Sequence, residues 1–221
     1  AFDLSAASFD STSSSIRLDA GAGIAVDDGS GSGDIFFLAD IATIDEGGTV
    51  TINAGANGNV MFAPVTVTQP IEFGQNSNSG RLELSGFELN SVTAGILQLG
   101  NSAHVGTGPI LTLFQSQSMT LTSVSTLSLV SGSAIRQNTG STLTVPNLVA
   151  QSATSIDFGQ TSNDVDLIAL DVTGTGVARY FGTGTVTIGS LSDVDGNTVT
   201  GISTMDGQVP VSYTHLTLPT K

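Results

Sequence analysis

The sequence predicts an all-β fold, a parallel β-solenoid, and three observations carry that prediction. Apolar residues recur at every second position in short runs. The runs are about four to six residues long and return roughly every 8–15 residues, divided by Gly, Asn, Ser and Asp clusters. One eight-residue motif occurs twice.

The runs can be taken in chain order. Thr49-Val50-Thr51-Ile52-Asn53 alternates, and so does Arg81-Leu82-Glu83-Leu84. Ile96-Leu97-Gln98-Leu99, Ile110-Leu111-Thr112-Leu113 and Met119-Thr120-Leu121 follow. Leu127-Ser128-Leu129, Leu143-Thr144-Val145 and Val186-Thr187-Ile188 complete the set. Each places aliphatic side chains on one face of a strand and Ser, Thr or charge on the other. The repeated motif is Ile71-Glu72-Phe73-Gly74-Gln75-Asn76-Ser77-Asn78, which returns as Ile156-Asp157-Phe158-Gly159-Gln160-Thr161-Ser162-Asn163. Six of its eight positions are identical, and the offset from Ile71 to Ile156 is 85 residues. Coils of about 20–25 residues make that offset roughly four coils and the chain roughly nine. Phe73 and Phe158 are then expected to point inward in one column. A sandwich containing two similar hairpins is the competing architecture.

One segment departs from the strand pattern. Ser85-Gly86-Phe87-Glu88 has the Ser-x-x-Glu form of a capping box, and Leu89 and Val92 are three apart. A short helical turn is expected near 86–93, with Gly95 as its terminator.

Composition agrees with stacked coils. Charged residues are 11%, aromatics 5%, and Ser plus Thr roughly a quarter of the 221 residues. Like charges stacked about every 4.8 Å repel, whereas Thr, Ser, Asn and Val stack well. The formal net charge of −14, with Lys+Arg 5 against Asp+Glu 19, argues against nucleic acid and anionic membranes as partners. A hydrophobic content of 39% argues against disorder. No apolar run approaches the 18 or so residues of a membrane helix. Without cysteine there is no disulfide framework or thiolate metal site.

The last eleven residues, Val211 to Lys221, differ from the rest and hold the only lysine. Val211–Thr220 resembles one reading frame of a common sequencing-library adapter over ten consecutive residues. The expectation is a β-solenoid segment over 1–210, cut from a longer chain and uncapped at both ends, followed by a non-native 211–221. Four arginines against nineteen acids give 1–210 a net charge of −15.

Residues 71–99, with Leu82-Glu83-Leu84-Ser85-Gly86-Phe87-Glu88-Leu89 and Thr93-Ala94-Gly95-Ile96-Leu97-Gln98-Leu99-Gly100, resemble repeats of very large bacterial exoproteins of the filamentous haemagglutinin type. Thr126–Gly132, Val50–Gly55 and Gly58–Phe62 are similar to the strand repeats of those proteins, and the likeness covers most of 16–189. The resemblance implies a right-handed parallel β-helix stalk. It also implies an adhesin exported to the Gram-negative cell surface by a two-partner or autotransporter route. No secretion domain or binding tip is recognisable in this stretch.

The chain offers little chemistry, and no catalytic, cofactor-binding or metal-binding residue is assigned. His104, in a Gly-rich turn, reads as a surface residue, and no Gly-x-Ser-x-Gly elbow accompanies the many serines. Asp27-Asp28 before Gly29-Ser30-Gly31-Ser32-Gly33-Asp34 only faintly matches a calcium nonapeptide, and calcium needs about six oxygen ligands. Asp45-Glu46, Asp164 with Asp166, and Asp193 with Asp195 read as solvated acidic turns. Arg136 and Arg179 are expected on the solvent face or paired with acids, and Leu170-Asp171-Val172 is too short a match to an integrin-binding tripeptide to inform.

The expected function is therefore a structural or adhesive rod, not an enzyme, extracellular and without cofactor. Its partners are expected to be neighbouring coils of the same longer chain. Host glycans or proteins would bind through regions outside this stretch. At about nine coils the rod would span about 40–45 Å, and its open strand edges would promote self-association. The alternative is a β-helical polysaccharide-active enzyme or phage tailspike segment that uses grouped Asp and Glu.

Overall fold

A computed structural model of the chain describes residues 7–10, 15–18, 23–25, 33–44, 50–74, 80–102, 111–113, 118–205, 208–212 and 215–217. Among them the fold is all-β apart from one short helix, and its strands are mostly parallel. A long sheet runs through Gly23–Ala25, Thr51–Ala63, Val92–Leu99, Val124–Ser131, Thr142–Ser152, Asp164–Val172, Thr185–Ile188 and His215–Thr217. A second sheet runs through Leu82–Ser85, Ile71–Gly74, Leu111–Leu113, Ala134–Gln137, Ser155–Phe158, Ala178–Phe181 and Val211–Ser212. Ala7–Asp10, Ser15–Leu18 and Ile41–Ile44 form a third. Among the described residues only Ala7–Asp10 with Ser15–Leu18, and Ser190–Ser192 with Thr198–Thr200, pair antiparallel. The chain thus alternates between two parallel sheets, an arrangement compatible with a β-solenoid and unlike a sandwich of hairpins.

Alternation decides what each strand buries. In the long sheet Val60, Leu97, Leu127, Leu148, Ile168 and Ile188 fall in register as one inward column. Phe62, Leu99, Leu129, Ala150, Leu170 and Ile202 form the next. All but Ile188 and Ile202 are buried. Each buried leucine or isoleucine contributes about 1.5–3 kcal/mol by leaving water. Phe37 stacks on Phe62 with ring centroids 4.6 Å apart, closing the N-terminal part of the core.

The two copies of the repeated motif do share a column. Ile71 pairs Leu111, Leu111 pairs Ile135, and Ile135 pairs Ile156. Phe73 and Phe158 both point inward and are fully buried. The copies are three strand spacings apart, not four. The coils are unequal: Val60 to Leu97 takes 37 residues and Leu97 to Leu127 takes 30. The next steps take 21, 20 and 20, to Leu148, Ile168 and Ile188.

The helix spans Gly86–Asn90, inside the expected range. Ser85 caps it, its Oγ accepting from the Glu88 amide at 3.1 Å while Glu88 Oε2 accepts from the Ser85 amide at 2.6 Å. Glu88 is wholly buried, and its Oε1 accepts from the Ile44 amide at 2.9 Å, tying the third sheet to the helix. Gly95 does not terminate the helix; Ser91 is its C-cap, and Gly95 lies inside the strand Val92–Leu99. A Cβ there would sit 2.8 Å from the Ala56 carbonyl oxygen, so close strand approach explains the glycine. Val211–Ser212 and His215–Thr217, from the adapter-like tail, extend the two sheets by backbone pairing.

Candidate functional site

Polar side chains gather in three places on this frame. The first is the outer face of the second sheet. Glu83, Glu72, Arg136, Asp157 and Arg179 lie there in register, with the backbone of Thr112 pairing between Glu72 and Arg136. From Arg136 to Arg179 the ladder alternates in sign, which avoids the repulsion of like charges one strand apart. Arg81 pairs with Glu72. Arg179 Nη1 lies 3.4 Å from Asp157 Oδ2, and its guanidinium sits 5.9 Å from the centre of the Phe181 ring. Arg179 thus pairs with an acid and Arg136 is exposed, the two arrangements expected of them. Arg136, Ser155, Asp157 and Arg179 help to line a cavity of about 330 Å³.

The second place is a cavity of about 280 Å³ lined by Thr120, Leu121, Thr144, Val145, Asp164 and Asp166 among others. Asp164 and Asp166 are exposed and alternate on one strand, so they share a face. Tyr180 is buried close by, with its hydroxyl unpartnered among the described residues. Desolvation pushes its phenol well above the usual tyrosine range, and the charges of Asp164 and Asp166 push it the same way. The Val165 backbone pulls in the other direction without reaching full hydrogen-bond geometry.

The third is a set of buried amides. Asn163, fully buried, donates to Gln137 Oε1, the Gln160 carbonyl and the Phe181 carbonyl, each at 2.9 Å. Its Oδ1 accepts from Gln137 Nε2 at 2.6 Å and the Leu143 amide at 3.0 Å. Gln98, also fully buried, donates to Asp195 Oδ2 at 3.0 Å and accepts from Ser128 Oγ at 3.0 Å and the Val194 amide at 2.8 Å. Asp193 Oδ2 accepts from Gln151 Nε2 at 2.6 Å. Asp193 is itself buried, so it is not the solvated acid expected, whereas Asp195 is exposed as expected while one of its oxygens accepts from Gln98.

The remaining sequence candidates divide by location. His104, Asp27, Asp28, Asp45 and Glu46 lie outside the described residues. Asp34 accepts from Asn59 Nδ2 at 2.8 Å. Leu170 and Val172 are buried within a strand and Asp171 accepts from Ser203 Oγ, so that tripeptide is part of the stack. Among the described residues no three His, Asp or Glu side chains group to hold a metal ion. The buried roles of Gln98, Gln137 and Asn163 were not foreseen. Only Asn163 carried a signal, as the last identical position of the repeated motif, matching Asn78.

No family model, no curated protein and no solved structure matches the chain.

Proposed function

We propose that the chain is a stretch of right-handed parallel β-helix acting as a structural or adhesive rod in a secreted bacterial surface protein. The observation that carries the reading is the pair of unbroken inward apolar columns, each crossing six parallel strands in register. Such a stack supplies stiffness and length along its axis and leaves the outer faces for solvent. Seven spacings from Gly23–Ala25 to His215–Thr217 make about 34 Å at about 4.8 Å each. The acidic surface keeps such a rod soluble.

One observation favours the alternative, a polysaccharide-active segment. Asp164 and Asp166 line a cavity, and residues two apart on a strand are about 6.6 Å apart, near the carboxyl spacing of inverting glycosidases. Two measurements on the purified chain separate the readings. The rod reading expects an elongated particle in small-angle scattering and no release of reducing ends or unsaturated sugars from acidic or neutral polysaccharides. Depolymerisation that is lost in Asp164→Asn would overturn it in favour of the enzyme.

A further inference from the structure

The outer face of the long sheet carries an insertion. Leu167 and Ile168 pair with Thr187 and Ile188, whereas Leu170 and Asp171 pair with Ile202 and Ser203. One strand position, opposite Ala169, is thus filled by everything from Gly189 to Gly201. The two glycines meet, the Gly201 amide donating to the Gly189 carbonyl at 2.7 Å. Between them the antiparallel arms Ser190–Ser192 and Thr198–Thr200 lie on the sheet, with Leu191 and Val199 packed on Val149 and Ala169. Farther out, Asp193 takes Gln151, while Val194 and Asp195 take Gln98. Asp195 also accepts from the Ser102 amide at 2.8 Å.

These contacts run along the stacking axis. From the strand Thr185–Ile188 to the strand Val92–Leu99 is four strand spacings, about 19 Å. Gly189 to Asp195 is six residues, about 20 Å when extended. The hairpin is therefore just long enough to join strands that do not touch each other. Stacked repeats otherwise contact only their neighbours, so they can fray one at a time from an end.

We propose that the Gly189–Gly201 hairpin is an axial clasp. It couples the strands from Val92–Leu99 to Asp164–Val172 into one opening unit, and it is register-neutral in the strand that carries it. Removing Ser190–Gly201 would leave Gly189 opposite Ala169 and Ile202 opposite Leu170, closing that strand without a shift.

The test is hydrogen exchange by mass spectrometry against urea on the full chain. In the intact chain Val92–Leu99 and Asp164–Val172 are expected to open with one shared urea dependence. In the chain lacking 190–201, with β-sheet circular dichroism retained, Asp164–Val172 is expected to exchange about tenfold or more faster than Val92–Leu99, the equivalent of one lost charge-assisted hydrogen bond. A deletion chain that does not fold would overturn register neutrality. The clasp is tested independently by Gln98→Ala, Asp195→Ala and their combination, which leave the hairpin in place. Non-additive loss of the shared transition is expected. Full additivity, or an intact chain whose strands already open separately, would overturn the clasp.

Discussion

Replacing Asn163 by alanine tests how far a single buried amide organises this stack. The side chain makes five hydrogen bonds of 3.0 Å or shorter, to Gln137 twice, Leu143, Gln160 and Phe181. Gln137 and Phe181 end strands of the second sheet, Gln160 follows Ser155–Phe158, and Leu143 lies in the long-sheet strand Thr142–Ser152, so one residue ties together three passages from the second sheet to the long one. Each neutral bond contributes about 1 kcal/mol net, and each buried partner left unpaired costs about 1–3 kcal/mol. Gln137 Nε2 keeps the Ser141 carbonyl at 3.1 Å, but the Leu143 amide and the Gln160 and Phe181 carbonyls lose their Asn163 bonds. The expected loss is about 4 kcal/mol, a large part of the roughly 5–15 kcal/mol that holds a domain together. For a chain of this size that lowers Tm by roughly 8–16 °C. The assay is chemical denaturation with a parallel calorimetric melt. Asn163→Asp is expected to be at least as damaging, because it presents an acceptor to two carbonyl oxygens. If Asn163→Ala loses less than about 1 kcal/mol, water substitutes for the amide and Asn163 does not organise these segments.

Four further outcomes follow from other buried positions. Glu88→Ala removes the acceptors of the buried Ser85 and Ile44 amides and is expected to cost about 3–5 kcal/mol by denaturation, with Glu88→Gln losing about half, since an amide keeps one acceptor oxygen. Tyr180→Phe removes a buried hydroxyl that has no partner among the described residues and is expected to stabilise the chain by about 1 kcal/mol, read as a higher urea midpoint. The Tyr180 phenol is raised by burial, so the unfolded chain ionises there first. Stability is therefore whole below pH 10 and falls as pH rises above it by about 1.4 kcal/mol per unit. Tyr180→Phe should flatten that slope in alkaline denaturation curves. Leu127→Ala, at a fully buried column position, is expected to cost about 2–5 kcal/mol in the same denaturation assay, against less than about 0.5 kcal/mol for Ser125→Ala on the exposed side.

The parallel stack was legible because period-two alternation and a repeated motif survive in the residues themselves. Leu97, Leu127 and Leu148 must face inward wherever they fall, so their pattern is local. Coil length was not legible. The helix at Gly86–Asn90 and the long steps before Leu97 and Leu127 add residues outside the columns, where the aliphatic pattern is silent. The buried polar groups were hidden for a different reason. Gln98 and its partner Asp195 are 97 residues apart; alone, Gln98 reads as the solvent-facing position of an alternating strand and Asp195 as part of an acidic turn. Burial of an amide is decided by what folds over it, and here that is a hairpin from a distant coil. Glu88 was half legible: its bond to Ser85 is local, but its bond to Ile44 is not.

The central claim is in-register parallel stacking along one axis, and the absence of cysteine makes a distance measurement direct. Asn59, Ile96, Thr126, Asn147, Leu167 and Thr187 occupy one column. Spin labels at Asn59→Cys and Thr187→Cys should therefore be five strand spacings apart. Dipolar spectroscopy is expected to give a single distance near 24 Å, allowing for the label arms. A distance beyond about 40 Å, or two populations of separate distances, would contradict the stack.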